Sequence, residues 1–464
     1  MQKLFDELQS LDRRCYISYK LNEDILMEHA ANGINIFIRC KFDKNSKIII
    51  ACGSGNNGAD GLALARLLHC DYDVEIFYVK KPKSPMAILQ LDRAHAIGVK
   101  STFELNKCDV LVDALYGTGF NKEFNNEAKA VMQTINKLDA YKIACDIPSG
   151  IEQDGKCNED SFVADTTLTM GALKKTMFSH QAKGYVGEIQ ILDLGVPRSE
   201  YETDTNWHLL DMDDLKLPLR VDKNTHKGTY GHLAIPCGEK PGAAIISGLS
   251  ALKFGSGLVS LLSNTPSLNI PYSLMSTTHL PHNTSAIACG MGIGDTYTDK
   301  ELLSFFDNPL PVIVDADLLH KPIILEILKK ENIIVTPHPK EFISLLKLAK
   351  IANISVETLQ NNRFKYCEEF SKKYPKVTLL LKGSNVIIAQ NDTYFINAHG
   401  TSALAKGGSG DVLSGLIGAL LAQGYSTLDA TINASLSHTK LVQNYRGADF
   451  SLTPEDLIQG IGNL

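Results

Sequence analysis

The chain has 464 residues, which is enough for two or more domains, and 44% of them are hydrophobic, as in ordinary soluble globular proteins. Its formal net charge of −6 offers no general basic surface for nucleic acid, and no apolar run approaches the roughly 20 residues of a membrane span. The N-terminus lacks the apolar core of a signal peptide, and the ten cysteines form no CxxC pair, so we expect free thiols in a reducing cytoplasm.

Short apolar runs alternate with helical segments in the first part of the chain. We predict strands over residues 47–53, 73–79, 109–117, 142–150, 167–174 and 187–195. Strands separated by helices indicate a parallel sheet with helices on both faces, and hence a Rossmann-like α/β domain. Ligands of such sheets bind beyond the carboxyl ends of the strands.

Three polar loops containing glycine, at residues 53–60, 113–119 and 146–150, follow such strand ends. Their carboxylate, amide and hydroxyl oxygens could together hold a hard cation, and one remaining carboxylate could act as an acid or base. The alternative is that these side chains only cap helices and shape turns.

The first of these loops also fits G-x-G-x-x-G, with Asp73 and Glu75 about 20 residues further on, as in a dinucleotide-binding site. A dehydrogenase is therefore a rival interpretation. The motif stands alone, however, and no independent site for hydride transfer is visible in the sequence.

Residues 197–224 show no sustained periodicity and are rich in acidic and polar residues. We place a domain boundary there and divide the chain into residues 1–212 and 213–464. A second α/β series follows, with predicted strands within residues 231–238, 285–295, 311–319, 332–342 and 378–389.

Near the end, the glycine-rich turn 407–410 directly precedes Asp411 and a long apolar helix. Free amides at a helix N-terminus attract anions, whereas Asp411 would repel a phosphate unless it accepts a proton from a reacting hydroxyl. The turn therefore indicates phosphoryl transfer, and the alternative is a simple glycine-rich helix start.

Taken together, the motifs resemble the bifunctional NAD(P)H-hydrate repair enzymes. GSGNNGADGLALAR, LMEHAANG, DALYGTGF and DIPSGI resemble segments of the family's NAD(P)H-hydrate epimerase. HKGTYGHL, PGAAIISG, VDADLL, TPHPKEF, LKGSN and the segment 400–424 resemble its ADP-dependent (S)-NAD(P)H-hydrate dehydratase, which has a ribokinase-like α/β fold. The resemblance spans nearly the whole chain.

The resemblance implies two activities. The epimerase interconverts the R and S epimers of NADH or NADPH hydrated at C6. The dehydratase transfers phosphate from ADP to the C6 hydroxyl of the S epimer and eliminates it, which restores NAD(P)H and releases AMP and phosphate. The implied cofactors are K⁺ at the epimerase site and Mg²⁺ at the dehydratase site, with ADP as co-substrate. The expected partners are these small molecules, without nucleic acid or membrane, and the sequence leaves a homo-oligomer open.

The resemblance also assigns site residues. The epimerase would bind the hydrate through Asn56, Asn57, Gly58, Ala59, Asp60, Gly117, Thr118, Gly119, Phe120, Asn121, Lys122, Glu123 and Asp146. Asp146 would be its acid/base group, and K⁺ would be held by Asn57, Asp113 and Ser149. The dehydratase would bind the hydrate through Ala243, Gly292, His338 and Asp411. Its nucleotide would contact Lys382, Gly383, Ser384, Asn385, Val386 and Gly410, while Asp411 would take the hydroxyl proton.

Some positions depart from the family pattern. Ala59 replaces the usual glycine, so we expect its Cβ to narrow the loop and to exclude a positive φ there. The segment 236–243 is shorter than usual, and LKGSN contains fewer glycines. His338, between two prolines, is interpreted as a ligand contact, with a rigid surface turn as the alternative.

Two further functions stay open at this point. A ribokinase-like kinase for small alcohols such as thiamine precursors, with a fused regulatory domain, would also use the 407–410 turn. A catalytically inactive binding module, like the epimerase-like scaffolds of RNA decapping factors, would not require Asp146, Asn57 and Asp113.

Overall fold

The computed structural model describes residues 1–263 and 269–464, and the chain divides into two compact units. The first unit is Gln2–Trp207, and the second comprises His208–Leu464 together with Met1. The sequence-based boundary between residues 212 and 213 lies slightly further along the chain. No helix among the described residues is long and apolar enough to cross a membrane.

The first unit contains a seven-stranded, wholly parallel sheet in the order β4-β3-β2-β5-β6-β7-β9. The strands of the first unit, of which β1 and β8 lie outside this sheet, are β1 Gln2–Phe5, β2 Lys47–Cys52, β3 Asp73–Tyr78, β4 Lys100–Thr102, β5 Val110–Ala114, β6 Tyr141–Cys145, β7 Thr166–Met170, β8 Leu173–Lys174 and β9 Glu188–Leu192. Its helices are α1 Gln9–Ser18, α2 Glu23–Lys41, α3 Asn56–Leu68, α4 Pro85–Ala96, α5 Asn126–Lys137 and α6 Arg198–Tyr201. A short strand, β10 Trp207–Leu209, spans the division between the units. The predicted α/β class with a parallel sheet is confirmed.

One predicted strand, 167–174, is in fact two. Gly171 has φ +71°, a left-handed conformation that breaks the extended backbone between β7 and β8. β8 leaves the main sheet and pairs in parallel with β1. The break matters because it turns Lys174 back toward the sheet edge where the strands end.

The central strands β2 and β5 are almost entirely buried, because apolar residues such as Ile48 and Ile49 point to opposite faces of the sheet and pack into a core on each side. Cys52 is paired in register with Ala114, and Asp113 with Ala144. Since neighbouring parallel strands end together, the loops after β2, β5 and β6 meet at one edge.

The second unit contains a sheet in the order β13-β12-β11-β14-β15-β16-β17-β18-β19, which is parallel up to β17 and antiparallel thereafter. Its strands are β11 His232–Pro236, β12 Leu258–Leu262, β13 Met275–Thr277, β14 Ala286–Cys289, β15 Val312–Val314, β16 Ile333–Val335, β17 Thr378–Leu381, β18 Val386–Gln390 and β19 Thr393–Asn397. Its helices are α7 Pro241–Lys253, α8 Asp299–Ser304, α9 Ile324–Ile327, α10 Pro339–Leu348, α11 Val356–Asn361, α12 Arg363–Lys373, α13 Ser409–Ala422, α14 Thr427–Asn444 and α15 Pro454–Gly460.

The apolar helix α13 runs through the core of the second unit, where Leu416, Ile417 and Leu420 are fully buried. Gly415 lets α7 approach closely, because a Cβ at this position would lie 2.2 Å from the backbone oxygen of Ser247. The small residues of α13 therefore serve close helix packing, and this packing fixes the position of the 407–410 turn at its N-terminus.

Two candidate active sites

The first unit has a pocket of about 510 Å³ at the edge where β2, β5 and β6 end. The pocket is lined by eight of the residues predicted to bind the hydrate: Asn56, Asn57, Asp60, Gly117, Thr118, Gly119, Phe120 and Asp146. Asn121, Lys122 and Glu123 are exposed outside the lining, while Gly58 and Ala59 are buried within α3. The three predicted polar loops thus contribute to a single cavity.

Asp146 occupies a strained position on the wall of this pocket. Its φ is +75°, which costs a non-glycine residue on the order of 1–3 kcal/mol and is common at functional sites. Its Oδ1 accepts hydrogen bonds from Lys174 Nζ at 2.6 Å and from the Met170 amide at 3.0 Å. Lys174, only 2% exposed, also donates to Thr169 Oγ1 at 2.8 Å. The buried ammonium requires an anionic partner, so Asp146 is held as a carboxylate.

The Asp60 carboxyl faces the same pocket in a different environment. Asp60 is 8% exposed, and within residues 1–263 and 269–464 no donor lies within hydrogen-bond range of its carboxyl oxygens. Burial raises its pKa well above the ordinary value, and the nearby carboxylates, Asp146 first, raise it further. The pocket therefore combines a carboxylate paired with lysine and a carboxyl group without a partner.

A buried network joins the loops below the pocket. Asp113, fully buried, accepts hydrogen bonds from the Ser149 hydroxyl at 2.7 Å and the Ser149 amide at 2.8 Å. Ser149 Oγ accepts in turn from the Tyr116 amide at 2.9 Å. Burial raises the pKa of Asp113 to about 6 despite these bonds. The side-chain oxygen and nitrogen of Asn57 are buried beside Gly117 and have no hydrogen-bond partner in the part of the chain that the structure describes.

Of the two expected effects of Ala59, the exclusion of a positive φ is confirmed, whereas the narrowing of the loop by its Cβ is wrong. Ala59 lies in the first turn of α3, where its amide donates to the Gly55 carbonyl at 3.1 Å and its side chain packs into the core. Its φ is not positive. The restricted position is Gly58, where a Cβ would lie 2.0 Å from the Gly53 carbonyl oxygen. An alanine at position 59 is thus compatible with the loop.

In the second unit, the 407–410 turn leads directly into α13, with Gly408 at φ +88°. Burial, followed by the charge of Asp315, raises the pKa of Asp411 to about 6. Asp315 accepts from Lys382 Nζ at 2.7 Å and from the Ser414 hydroxyl at 2.7 Å. A Cβ on Gly410 would lie 3.4 Å from Lys382 Nζ. A cation, a potential base and free helix N-terminal amides therefore lie together.

Arg363 supports the loop that contains the predicted nucleotide contacts Lys382, Gly383, Ser384, Asn385 and Val386. It is 5% exposed, and its Nη2 donates to the carbonyl oxygens of Leu381, Lys382 and Asn385 at 3.1–3.2 Å. A Cβ on Gly383 would lie 2.3 Å from Nη1 of Arg363. The guanidinium therefore shapes this loop from below.

His338 caps α10, where its Nδ1 accepts from the Lys340 and Glu341 amides at 3.1 and 3.2 Å. This explains its place between two prolines, and its contact with a substrate stays a prediction. Ala243 and Gly292 are neighbours, because a Cβ on Gly292 would lie 3.3 Å from the Cβ of Ala243. The Ser247 hydroxyl, one turn after Ala243 on α7, donates to the Asp411 carbonyl at 2.9 Å.

Lys174, Asp315 and Arg363 were not predicted as functional residues from the sequence. For two of them a signal was present, since Lys174 ends the run TLTMGALK and Asp315 lies within PVIVDADLL. A charged residue inside an apolar run has to find a buried partner, which points to a site. Arg363 lies in an ordinary polar helix, and nothing local distinguishes it.

Comparison with known proteins gives matches in both units. The family model described as NAD(P)H-hydrate dehydratase matches residues 233–461, and the model described as YjeF-related protein N-terminus matches residues 23–176. The bifunctional NAD(P)H-hydrate repair enzyme Nnr of Helicobacter pylori is 43% identical, with both chains covered completely. The enzyme of the same name from Dictyoglomus turgidum is 32% identical over 98% of this chain and 96% of its own. The solved ADP/ATP-dependent NAD(P)H-hydrate dehydratase of Bacillus subtilis, co-crystallised with ATP and Mg²⁺, is 28% identical over 53% of this chain and 92% of its own, with a TM-score of 0.45.

Proposed function

The chain belongs to the family of bifunctional NAD(P)H-hydrate repair enzymes, and we propose that the pocket of its first unit is the epimerase site and the 407–410 turn marks the dehydratase site. The protein is an NAD(P)H-hydrate epimerase and dehydratase. The small-alcohol kinase considered above is not favoured, because relatives with the two-activity name match along the whole chain.

The observation that carries the epimerase assignment is Asp146, held in a strained conformation by buried Lys174 on the wall of a pocket formed by the three polar loops. Exchange of the C6 configuration requires a proton to leave and return at the hydrate. A carboxylate that faces the pocket, with its charge maintained by a buried ammonium, can serve as that acid/base group. The loop residues 117–120 would contact the substrate's phosphates through their amides.

We propose that K⁺ is held beneath the same pocket by Asn57, Asp113 and Ser149. The buried, unpartnered Asn57 oxygen supports this, since a buried polar atom without a partner is costly. The set offers two neutral oxygens and one carboxylate, a low charge that suits a large monovalent ion better than Mg²⁺, which retains a compact shell of waters. The ion would keep the three loops together.

At the second site, we propose that Asp411 takes the proton of the C6 hydroxyl as that oxygen receives phosphate from ADP. Phosphorylation converts hydroxide into a good leaving group, so elimination can then restore NAD(P)H. The α13 amides and Lys382 would stabilise the transferred charge. Mg²⁺ would be bound largely by the phosphates and water, because within residues 1–263 and 269–464 no three His, Cys, Asp or Glu side chains converge to hold a metal.

We further propose that the protein works in the cytoplasm. All ten cysteines are free thiols, and Cys40 and Cys70 are exposed. Exposed unpaired thiols suit a reducing compartment.

Recovery of absorbance at 340 nm tests the two activities together. Full-length protein and ADP are added to a mixture of hydrate epimers, and full recovery requires both units. Partial recovery would mean that only the dehydratase is active, and recovery that requires a different phosphate donor would refute the role of ADP. Vitamin precursors incubated with ATP provide the control for the kinase alternative.

A further inference from the structure

We propose that Asp60 is the proton donor of the epimerase reaction and works opposite the Asp146 carboxylate, which Lys174 keeps charged. The inference rests on the assignment of this pocket as the epimerase site. By the family resemblance, Asp60 is only a substrate contact and Asp146 is the single acid/base group. The inference gives each of the two carboxyl groups its own role in proton transfer.

Two carboxyl groups in one cavity have contrasting environments. Asp146 forms an ion pair with Lys174 at 2.6 Å, whereas the Asp60 carboxyl, among the residues that the structure describes, forms neither an ion pair nor a hydrogen bond, although it lines the same pocket. An isolated carboxylate in a buried site is strongly disfavoured and takes up a proton instead. Its accessible edge opens into the pocket, so its proton can reach a bound substrate.

The surroundings of Asp60 reinforce this difference. The titratable groups that face it from the neighbouring elements are Asp12 and Tyr16 of α1, Glu23 of α2, Tyr201 of α6, Cys145 and Asp146 at the end of β6, and Lys174 of β8. Lys174 is the only cationic group among them, and its ammonium donates its hydrogen bonds to Asp146 and Thr169. Burial raises the pKa of Asp60, and the negative charges of Asp146, Asp12 and Glu23 raise it further.

Such a pair suits reversible ring opening at C6. Asp146 takes the hydroxyl proton, the freed electron pair forms the C6=O bond, and the C6–N1 bond breaks with its electrons going to N1. Asp60 protonates N1 as it leaves. Rotation about the C5–C6 bond presents the other face of the aldehyde, and ring closure returns the N1 proton to Asp60 and the Asp146 proton to the oxygen.

This route explains why one arrangement of charges can serve both epimers. The oxygen always exchanges its proton with Asp146 and the nitrogen with Asp60, whichever epimer enters. In the alternative, water leaves C6 from one face and adds to the other, so the acid and the base would have to exchange roles with each direction of reaction. A fixed pair made of a lysine-bound carboxylate and an isolated carboxyl does not favour that exchange.

The test compares Asp60→Asn, Asp60→Glu and Asp109→Asn in the full chain. Epimerisation without ADP is followed by chiral separation and corrected for the spontaneous rate, and ADP-dependent dehydration of the S hydrate confirms that each variant is folded. We expect Asp60→Asn to lower the epimerisation kcat by roughly 100- to 10,000-fold and to remove the alkaline fall of the pH profile. Asp60→Glu should recover part of the rate together with that fall.

Asp109→Asn is the matched control, since Asp109 lies at the opposite end of the same sheet, where its carboxylate accepts a hydrogen bond from the Lys47 amide at 2.8 Å. An equal loss in this variant, or an Asp60→Asn rate reduced by the same factor at every pH, would overturn the donor role. Incorporation of one oxygen from ¹⁸O-labelled water per epimerisation would overturn ring opening. If epimerisation survives in both Asp60→Asn and Asp146→Asn, the assignment of this pocket as the epimerase site fails. If Asp146→Asn loses epimerisation and Asp60→Asn keeps it, only the donor role of Asp60 is refuted.

Discussion

Replacement of Asp411 by asparagine should stop dehydration and leave epimerisation intact. The amide keeps the shape of the side chain but cannot accept the hydroxyl proton, and a general base typically contributes ~100- to 10,000-fold to a rate. The wild-type rate should also depend on pH. With a pKa of about 6, Asp411 is about 90% ionised at pH 7 and about 10% at pH 5, so dehydration should fall about tenfold between them.

The same substitution should make the second unit more stable at neutral pH. Because the pKa of Asp411 is raised from 3.8 to about 6, the folded state binds this proton more tightly than the unfolded state. The ionised carboxylate therefore lowers the free energy of unfolding. This loss of stability is absent below pH 3.8, grows as the pH rises, and reaches its full size above about pH 6. At 1.36 kcal/mol per pKa unit it amounts to at most about 3 kcal/mol, which the neutral asparagine removes.

The assay uses purified S hydrate with ADP, followed at 340 nm, and thermal unfolding at pH 8 and pH 4. Asp429→Asn is the matched control, because Asp429 is the third residue of α14 as Asp411 is of α13, away from the turn. Dehydration within twofold of wild type would remove Asp411 from the role of base. A melting temperature lowered equally at both pH values would mean that the variant is damaged rather than deprived of a proton acceptor.

Four further outcomes are expected. Asp146→Asn should stop R-to-S exchange without ADP while S-hydrate dehydration continues, and unchanged exchange on chiral separation would place the acid/base group elsewhere. Exchange of K⁺ for a bulky organic cation should lower the epimerisation rate, and Asp113→Ala should lower it even with K⁺ present. Equal epimerisation rates with and without K⁺, in protein shown to be free of bound metal, would argue against the ion. So would a loss of activity in Asp113→Ala that only follows its loss of melting temperature. Ala59→Gly should cost ~0.5–1 kcal/mol in the helix without raising epimerase activity, whereas Gly58→Ala should destabilise the first unit far more, and similar melting temperatures would contradict this reasoning. Arg363→Lys should raise the KM for ADP more than it lowers kcat, because three loop carbonyls lose one rigid partner, and ADP titration with an unchanged KM would refute that role.

Much of the fold followed from local patterns in the sequence. Apolar runs such as 47–53 and 142–150 indicated parallel strands, and the polar loops that follow them had to meet at one sheet edge because neighbouring parallel strands end together. The split between β7 and β8 was missed, since Gly171 lies within an otherwise continuous strand-like run and its left-handed conformation is not evident from residue type alone. The positive φ of Asp146 was likewise invisible in the sequence.

The sequence alone determined the two α/β series, the motif order that indicated two activities, and the polar side chains available at each strand end. Only the tertiary structure decided the chemical state of those side chains. Asp60 and Asp146 are the same residue type lining one pocket, but among the described residues the Asp60 side chain is buried without a hydrogen-bond partner, whereas Asp146 lies against Lys174. The reason is physical: desolvation and ion pairing depend on groups brought together from distant parts of the chain, which no local pattern records.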